Sequence, residues 1–145
     1  MISSVQELIE RDEGRKLWPY KDGYGKPTWG VGHLLADPLT PDVIALLNQA
    51  IDLQFQHDLG AATDGLMAHL PWFASVNPIR QAVLIDMAFN LGVAGLMTFT
   101  TFLSCMESGQ WAAAAADLRG TLVYRQLPGR YERLATMIHT GQWPS

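Results

Sequence analysis

The chain has only one cysteine in 145 residues, Cys105, so no disulfide bond can form within it. The fold must therefore rest on packing alone, which is normal for a protein made in a reducing compartment. Cys105 lies in an apolar stretch, and we expect it to be a buried structural thiol rather than a reactive one.

The sequence also lacks a basic run, a long apolar run and a recognisable leader. Its formal net charge is -4, whereas a domain that grips DNA or RNA usually has a basic face, so nucleic acid is not an expected partner. No stretch approaches the roughly 20 consecutive apolar residues of a membrane span. The first ten residues are polar and acidic, unlike a signal peptide. We expect neither membrane insertion nor signal-directed export.

Hydrophobic residues make up 48% of the chain, which is enough for a sizeable core. Together with the length, this predicts a single compact domain over residues 1–145 with two lobes. There is no internal repeat, linker or low-complexity tract.

The first turns of the chain predict a helix over Ser4–Arg11. Ser4 and Glu7 form a capping box, and an apolar stripe follows at helical spacing: Val5, Leu8 and Ile9. Gly14 is suited to end the helix. Glu13 therefore comes at the end of a buried face, an unusual place for a carboxylate.

Residues 17–20 and 28–31 are predicted to form two short strands, because turn-forming residues separate them. Alternation along the second strand places Thr28, Gly30 and Gly32 on one face. That face carries almost no side chains, which suits the close approach of a ligand.

The rest of the sequence is predicted to be helical. The segments are 43–48, a linking helix at about 52–67, a central core helix at 79–91, and then 98–107, 110–118 and 128–139. The expected class is α+β and mostly helical. A β-hairpin lobe covers about 14–35, and a helical lobe covers about 1–13 and 66–145, with a cleft between the lobes.

Three polar residues, Glu13, Asp22 and Thr28, could carry glycoside hydrolysis. This reaction needs a protonated acid beside the leaving oxygen and a second polar group that stabilises the transition state or orients water. Burial at the end of an apolar stripe would raise the pKa of Glu13, as a general acid requires. Asp22 in a turn should be wetter and ionised, and Thr28 supplies a hydroxyl. Taken singly, each is a weak signal.

In combination, these residues resemble the signature of the phage lysozymes: Glu13-Gly14, Tyr20-x-Asp22 and Thr28-x-Gly30-x-Gly32-His33-Leu34. The resemblance implies a muramidase that cleaves the β-1,4 bond between N-acetylmuramic acid and N-acetylglucosamine. Glu13 would be the general acid, and Asp22 with Thr28 would position the attacking water, giving inversion. Some relatives are thought to use the aspartate as a nucleophile, so retention stays open.

The resemblance continues in the second half of the chain. Residues 82–92, AVLIDMAFNLG, are similar to the family's central helix, and residues 128–143 are similar to its closing helix. Arg130 matches an arginine that pairs with the catalytic glutamate. The implied substrate-binding residues are Gly30, Gly32, Asn90, Phe99 and Thr100. The segment between His33 and Asp58 is shorter than in the best-known relative, which puts the upper cleft wall in doubt.

His33 has no neighbours at metal-ligand spacing, so we expect no metal site and no cofactor. The resemblance instead implies a structural ion pair between His33 and Asp58, an aspartate on the linking helix.

By the same resemblance, the partner is bacterial peptidoglycan, and the protein is an endolysin of a phage or prophage. It would stay in the host cytoplasm until a holin opens the membrane and would then act on the wall in the periplasm. It is expected to act as a monomer, although no pattern determines its oligomeric state, and a tail-associated or bacterial-competition role would look the same. Two alternatives remain: a lytic transglycosylase, which would not need Asp22 and Thr28, and a catalytically silent wall-binding protein.

Overall fold

The structure, a computed structural model, describes residue 10, residues 14–31 and residues 33–144. The chain divides into two compact units, residues 1–50 and residues 51–145. The predicted α+β class with a majority of helix is confirmed.

The first unit contains a three-stranded antiparallel sheet in the order β1-β2-β3. Its strands are β1 (Lys16–Lys21), β2 (Pro27–Gly30) and β3 (His33–Leu34). The two predicted strands are confirmed, and each of their ends lies within one residue of the predicted end. Strand β3 was not predicted. A two-residue strand is too short to show an alternating pattern, which explains why β3 could not be predicted.

A glycine marks the entry to the sheet. Gly14 has φ +72, and its N–H donates to the carbonyl oxygen of Glu10 at 2.9 Å. This is how a helix commonly ends, because only glycine adopts the left-handed conformation without a steric cost. The predicted stop at Gly14 is therefore confirmed, whereas the predicted helix Ser4–Arg11 lies outside the described residues except for Glu10, which is helical.

Helix α1 (Pro41–His69) runs without interruption for 29 residues. The sequence predicted two helices here, at 43–48 and 52–67, and the predicted break between them is wrong. The residues between the two segments are Gln49, Ala50 and Ile51. They include neither glycine nor proline, so nothing in the backbone opposes continuation of the helix.

The second unit is helical throughout. After a 3₁₀ turn at Phe73–Ser75 it contains α2 (Pro78–Leu91), α3 (Val93–Met97), α4 (Thr100–Glu107), α5 (Trp111–Arg119), α6 (Leu122–Gln126) and α7 (Pro128–Thr140). The helix predicted at 98–107 is shorter than expected, because Phe99 has ψ 58 and separates α3 from α4. Within the described ranges, no helix is long and apolar enough to cross a membrane.

The core of the second unit is built on α2 and α7. Helix α2 buries four side chains and α7 buries five: Val83, Leu84, Met87 and Ala88, and Tyr131, Leu134, Ala135, Met137 and Ile138. Residues of α4 and α5 complete this core. Cys105 packs against it but is only half-buried, whereas the sequence predicted a buried thiol.

A polar clamp joins the start of α2 to the end of α7. Arg80 donates from Nε to the carbonyl oxygen of Ile138 at 2.8 Å, and its guanidinium lies 4.0 Å from the ring centre of Trp111. The Asn77 side chain caps α2 by accepting from the N–H of Arg80. Gly141 then ends α7 in the left-handed conformation, with φ +68.

Candidate active site

The hairpin turn is organised by the carboxylate of Asp22. Its Oδ1 accepts from the N–H of Tyr24 at 2.9 Å and from the N–H of Lys26 at 2.8 Å. The main chain adds a bond from the N–H of Asp22 to the carbonyl oxygen of Lys26 at 3.0 Å. Aspartate is suited to turns because its short side chain can bond the backbone two residues on. The carboxylate is therefore held in one orientation by the turn that it closes.

Only one oxygen of this carboxylate is used within the turn. Oδ2 accepts no hydrogen bond from any residue that the structure describes. An ionised carboxylate has about four lone-pair sites on its two oxygens. Asp22 thus has a fixed position and an oxygen that can receive a further donor.

Thr28 lies in the middle strand of the sheet, opposite Tyr20 of β1 and Leu34 of β3. It is 1% exposed, and among the residues that the structure describes it is the only polar one that is buried. Its hydroxyl donates to the carbonyl oxygen of Lys26 at 3.0 Å. Asp22 and Thr28 are therefore both attached to Lys26, one to its N–H and the other to its carbonyl group.

Gly30 ends β2 with φ +65. A Cβ atom built on it would meet no atom within 4 Å. Backbone conformation therefore requires glycine here, while the space beside it stays open to a ligand. The predicted site residues Glu13 and Gly32 lie outside the described residues.

His33 and Asp58 belong to different units of the chain. His33 is half-buried, and its Nε2 has no hydrogen-bond partner among the described residues. Asp58 accepts from Nε2 of Gln54 at 2.7 Å and lies 3.7 Å from Nδ1 of His57. The ion pair of His33 with Asp58 stays a prediction.

Arg130, near the start of α7, bonds to Asp86 of α2. Its Nε donates to Oδ1 of Asp86 at 2.9 Å, and its Nη2 donates to the carbonyl oxygen of the same residue at 3.3 Å. The sequence did not identify Asp86 as a partner. The sequence feature that could have pointed to Asp86 is that it is the one carboxylate on a mostly apolar helix. The predicted pairing of Arg130 with Glu13 lies outside the described residues and stays a prediction.

Asn90 is exposed in the last turn of α2. Its Oδ1 accepts a hydrogen bond from the hydroxyl of Tyr131 at 2.9 Å. Tyr131 is completely buried, and this burial raises its pKa. No sequence pattern had marked Tyr131, because an aromatic residue on the apolar face of a helix normally indicates only core packing.

Phe99 and Thr100 meet at the junction of α3 and α4. Phe99 is half-buried against the core, and Thr100 is exposed as the first residue of α4. They line one shallow cavity of 260 Å³ together with Thr98, Thr101, Asp117 and Thr121. The structure therefore brings these two predicted binding residues together on a largely polar surface.

A larger apolar cavity of 470 Å³ adjoins the Arg130–Asp86 pair, and it is lined by these two residues with Phe55, Leu59, Ala82, Ile85 and Phe89. The rings of Phe55 and Phe89 pack edge to face at 5.7 Å. Within residues 14–31 and 33–144, no group of three or more histidine, cysteine, aspartate or glutamate side chains could hold a metal ion.

The sequence profile of the phage lysozyme family matches residues 10–133. The pre-baseplate central spike protein Gp5 of Enterobacteria phage T4 is 33% identical over 98% of this chain, which spans 28% of the spike protein. The probable T4-type lysozyme 1 of Dictyostelium discoideum is 29% identical, and the probable T4-type lysozyme 2 of that organism is 26% identical. Each of these two alignments covers 97% of this chain and 96% of the relative.

Proposed function

This chain belongs to the phage lysozyme family, and on that premise we propose that it is a glycoside hydrolase of the muramidase type that degrades bacterial peptidoglycan. The bond cleaved is the β-1,4 linkage between N-acetylmuramic acid and N-acetylglucosamine. The observation that carries the proposal is the attachment of Asp22 and Thr28 to the same residue, Lys26. A binding module would need no such pair.

The hydrogen bonds of the hairpin suggest how water would be oriented. The hydroxyl proton of Thr28 is given to the carbonyl oxygen of Lys26, so the threonine oxygen is left as an acceptor. Oδ2 of Asp22 is a second acceptor in the same turn. A water molecule that donates a proton to Oδ2 of Asp22 would turn a lone pair outward, as attack on an anomeric carbon requires, while Thr28, which is 1% exposed, would fix the turn from the inside through its bond to Lys26. Because water attacks and Asp22 does not, the proposed outcome is inversion.

Glu13 is proposed as the general acid that protonates the leaving oxygen. Its place in the sequence supports this role, since it follows an apolar stripe in which burial would favour the protonated form. Arg130 is proposed to pair with it, as the family resemblance implies.

Clearing of a suspension of permeabilised bacteria tests the proposal. The wild-type protein should clear it, and Glu13→Gln should lose about 10²- to 10⁴-fold of the rate, the usual contribution of general acid catalysis. Glu107→Gln, which alters an exposed carboxylate in the second unit, is the matched control and should keep full activity. Folding of each variant is verified by circular dichroism. A folded Glu13→Gln protein that clears cells normally would refute the assignment.

We propose further that the biological role is that of an endolysin, a monomer released to the wall through a holin. The similarity to the central spike protein of phage T4 favours a second candidate, a role in a phage tail. Supplying the chain to a phage that has a holin but lacks its own endolysin separates the two. Restored lysis at the normal time supports the endolysin role, and failure to lyse by a protein active on isolated walls supports the tail role.

A further inference from the structure

The hydroxyl proton of Tyr131 has one acceptor. The side chain is completely buried, and its hydroxyl lies 2.9 Å from Oδ1 of Asn90. Across the described ranges, no other acceptor is in hydrogen-bonding contact with this hydroxyl. A buried donor without an acceptor is costly, so the proton must point to Asn90. Burial also raises the pKa of Tyr131, and the phenol therefore stays protonated.

This bond determines which end of the Asn90 amide is available. An asparagine side chain has one carbonyl oxygen that accepts and one NH₂ group that donates. Because Oδ1 faces the hydroxyl of Tyr131, Nδ2 must face away from it. Asn90 is exposed, and Nδ2 has no partner among the residues that the structure describes. The side chain therefore offers a donor to the outside.

The amide is also held in place by a second bridge between the same two helices. Asp86 lies one turn before Asn90 on α2, hence on the same face, and Arg130 directly precedes Tyr131 on α7. The Arg130–Asp86 bond therefore runs beside the Tyr131–Asn90 bond. A group that is already ordered loses little conformational entropy when it binds a ligand.

We infer that Tyr131 is a positioning residue that holds Asn90 as a fixed donor to the carbonyl oxygen of an N-acetyl group on a sugar. An acetamide carbonyl oxygen is a stronger hydrogen-bond acceptor than a sugar hydroxyl oxygen, so a fixed NH₂ group favours the acetamide. The inference deepens the proposed function, on which it rests for the source of the sugar. It predicts selectivity for N-acetylated glycans over unsubstituted ones.

The experiment is a titration of the full chain followed by NMR, with the side-chain NH₂ signals of Asn90 as the reporter. The probes are the tetramer of N-acetylglucosamine and cellotetraose, which has the same linkage but no acetamide. Wild type should bind the acetylated tetramer about fivefold to tenfold more tightly, the value of one hydrogen bond, with a shift of the Asn90 signals. Tyr131→Phe keeps the ring in the core and should lose most of this preference.

A double-mutant cycle separates positioning from a structural effect. If Tyr131 acts through Asn90, Tyr131→Phe should change the preference little once Asn90→Ala is present. Additive effects, or an unchanged preference in Tyr131→Phe, would overturn the inference. If Tyr131→Phe does not fold, Asn90→Asp replaces the donor by an acceptor and must lose the preference. Unshifted Asn90 signals contradict the inference even in a protein that clears cells. Shifted signals in a protein that does not clear them support it while the proposed hydrolase fails.

Discussion

The two units of the chain differ in the interactions that stabilise their described residues. Every buried hydrophobic side chain of the described residues, from Ala62 to Ile138, belongs to the second unit. In the described part of the first unit, the one buried residue is Thr28, and the order of the hairpin comes from hydrogen bonds around Asp22. The comparison indicates that stability and chemistry are separable. Among the described residues, the packed helices bury the apolar side chains, and a short polar turn positions two of the proposed catalytic groups.

The largest effect is expected in the helical core. Phe102 is completely buried on α4, and Phe102→Ala should lower the free energy of unfolding by about 3–5 kcal/mol, from lost burial and a cavity. Urea denaturation measures this change. Phe102→Leu is the milder control, with a smaller loss. Activity per folded molecule should be unchanged in both variants, and a specific loss of activity would break the separation.

The converse change is Asp22→Asn in the hairpin. The amide oxygen can still accept from Tyr24 and Lys26, so the turn should hold and the midpoint of unfolding should stay the same. The charge that orients water is lost, and wall cleavage should fall about 100-fold or more. Asp37→Asn, an exposed change in the same unit, should have no effect. Equal activities of the two variants would remove Asp22 from the mechanism.

Two glycines of the helices should respond in opposite directions to alanine. Gly141 has φ +68, and a Cβ atom there would lie 2.9 Å from Nη1 of Arg80, so Gly141→Ala should cost about 1–3 kcal/mol. Gly60 lies inside α1 with no atom within 4 Å of the added carbon, and Gly60→Ala should stabilise by about 0.4–1 kcal/mol. Thermal unfolding of both variants measures this, and a stabilised Gly141→Ala would contradict the clamp at the end of α7.

The smallest effect concerns an exposed ion pair of the second unit. Arg119 bonds both carboxylate oxygens of Glu132 and, with Tyr124 and Thr136, lowers its pKa from 4.5 to about 2. The folded pKa is the lower one, so the stabilisation is complete above 4.5 and disappears as the pH falls toward 2. Unfolding measured across this window should show a steeper loss for wild type than for Glu132→Gln. Parallel curves would mean that the pair contributes nothing.

The features that the sequence revealed were mostly local. The helix stop at Gly14 was predicted from the glycine itself, and the start of the helix predicted at 79–91 is set by the Asn77 side chain, which caps it from three positions away. The turn at Asp22 is local in the same sense. The wrong break in α1 was placed between residues 48 and 52, where neither glycine nor proline interrupts the helix.

The features that the sequence did not reveal depend on distant partners. Arg130 and Asp86 are 44 positions apart, and Tyr131 and Asn90 are 41 positions apart. Spacing within one helix predicts which residues share a face, but it carries no information on which helix will lie opposite. Asn90 was thus predicted as a binding residue without any indication of Tyr131, its hydrogen-bond partner.

Digestion of peptidoglycan in water enriched in heavy oxygen tests the central claim, that the cleavage is a hydrolysis that depends on Asp22. Mass spectrometry of the fragments should find one heavy oxygen at each new reducing end, and this incorporation should be lost in Asp22→Asn. Anhydro sugars without label would show that water takes no part in the cleavage and would contradict the account.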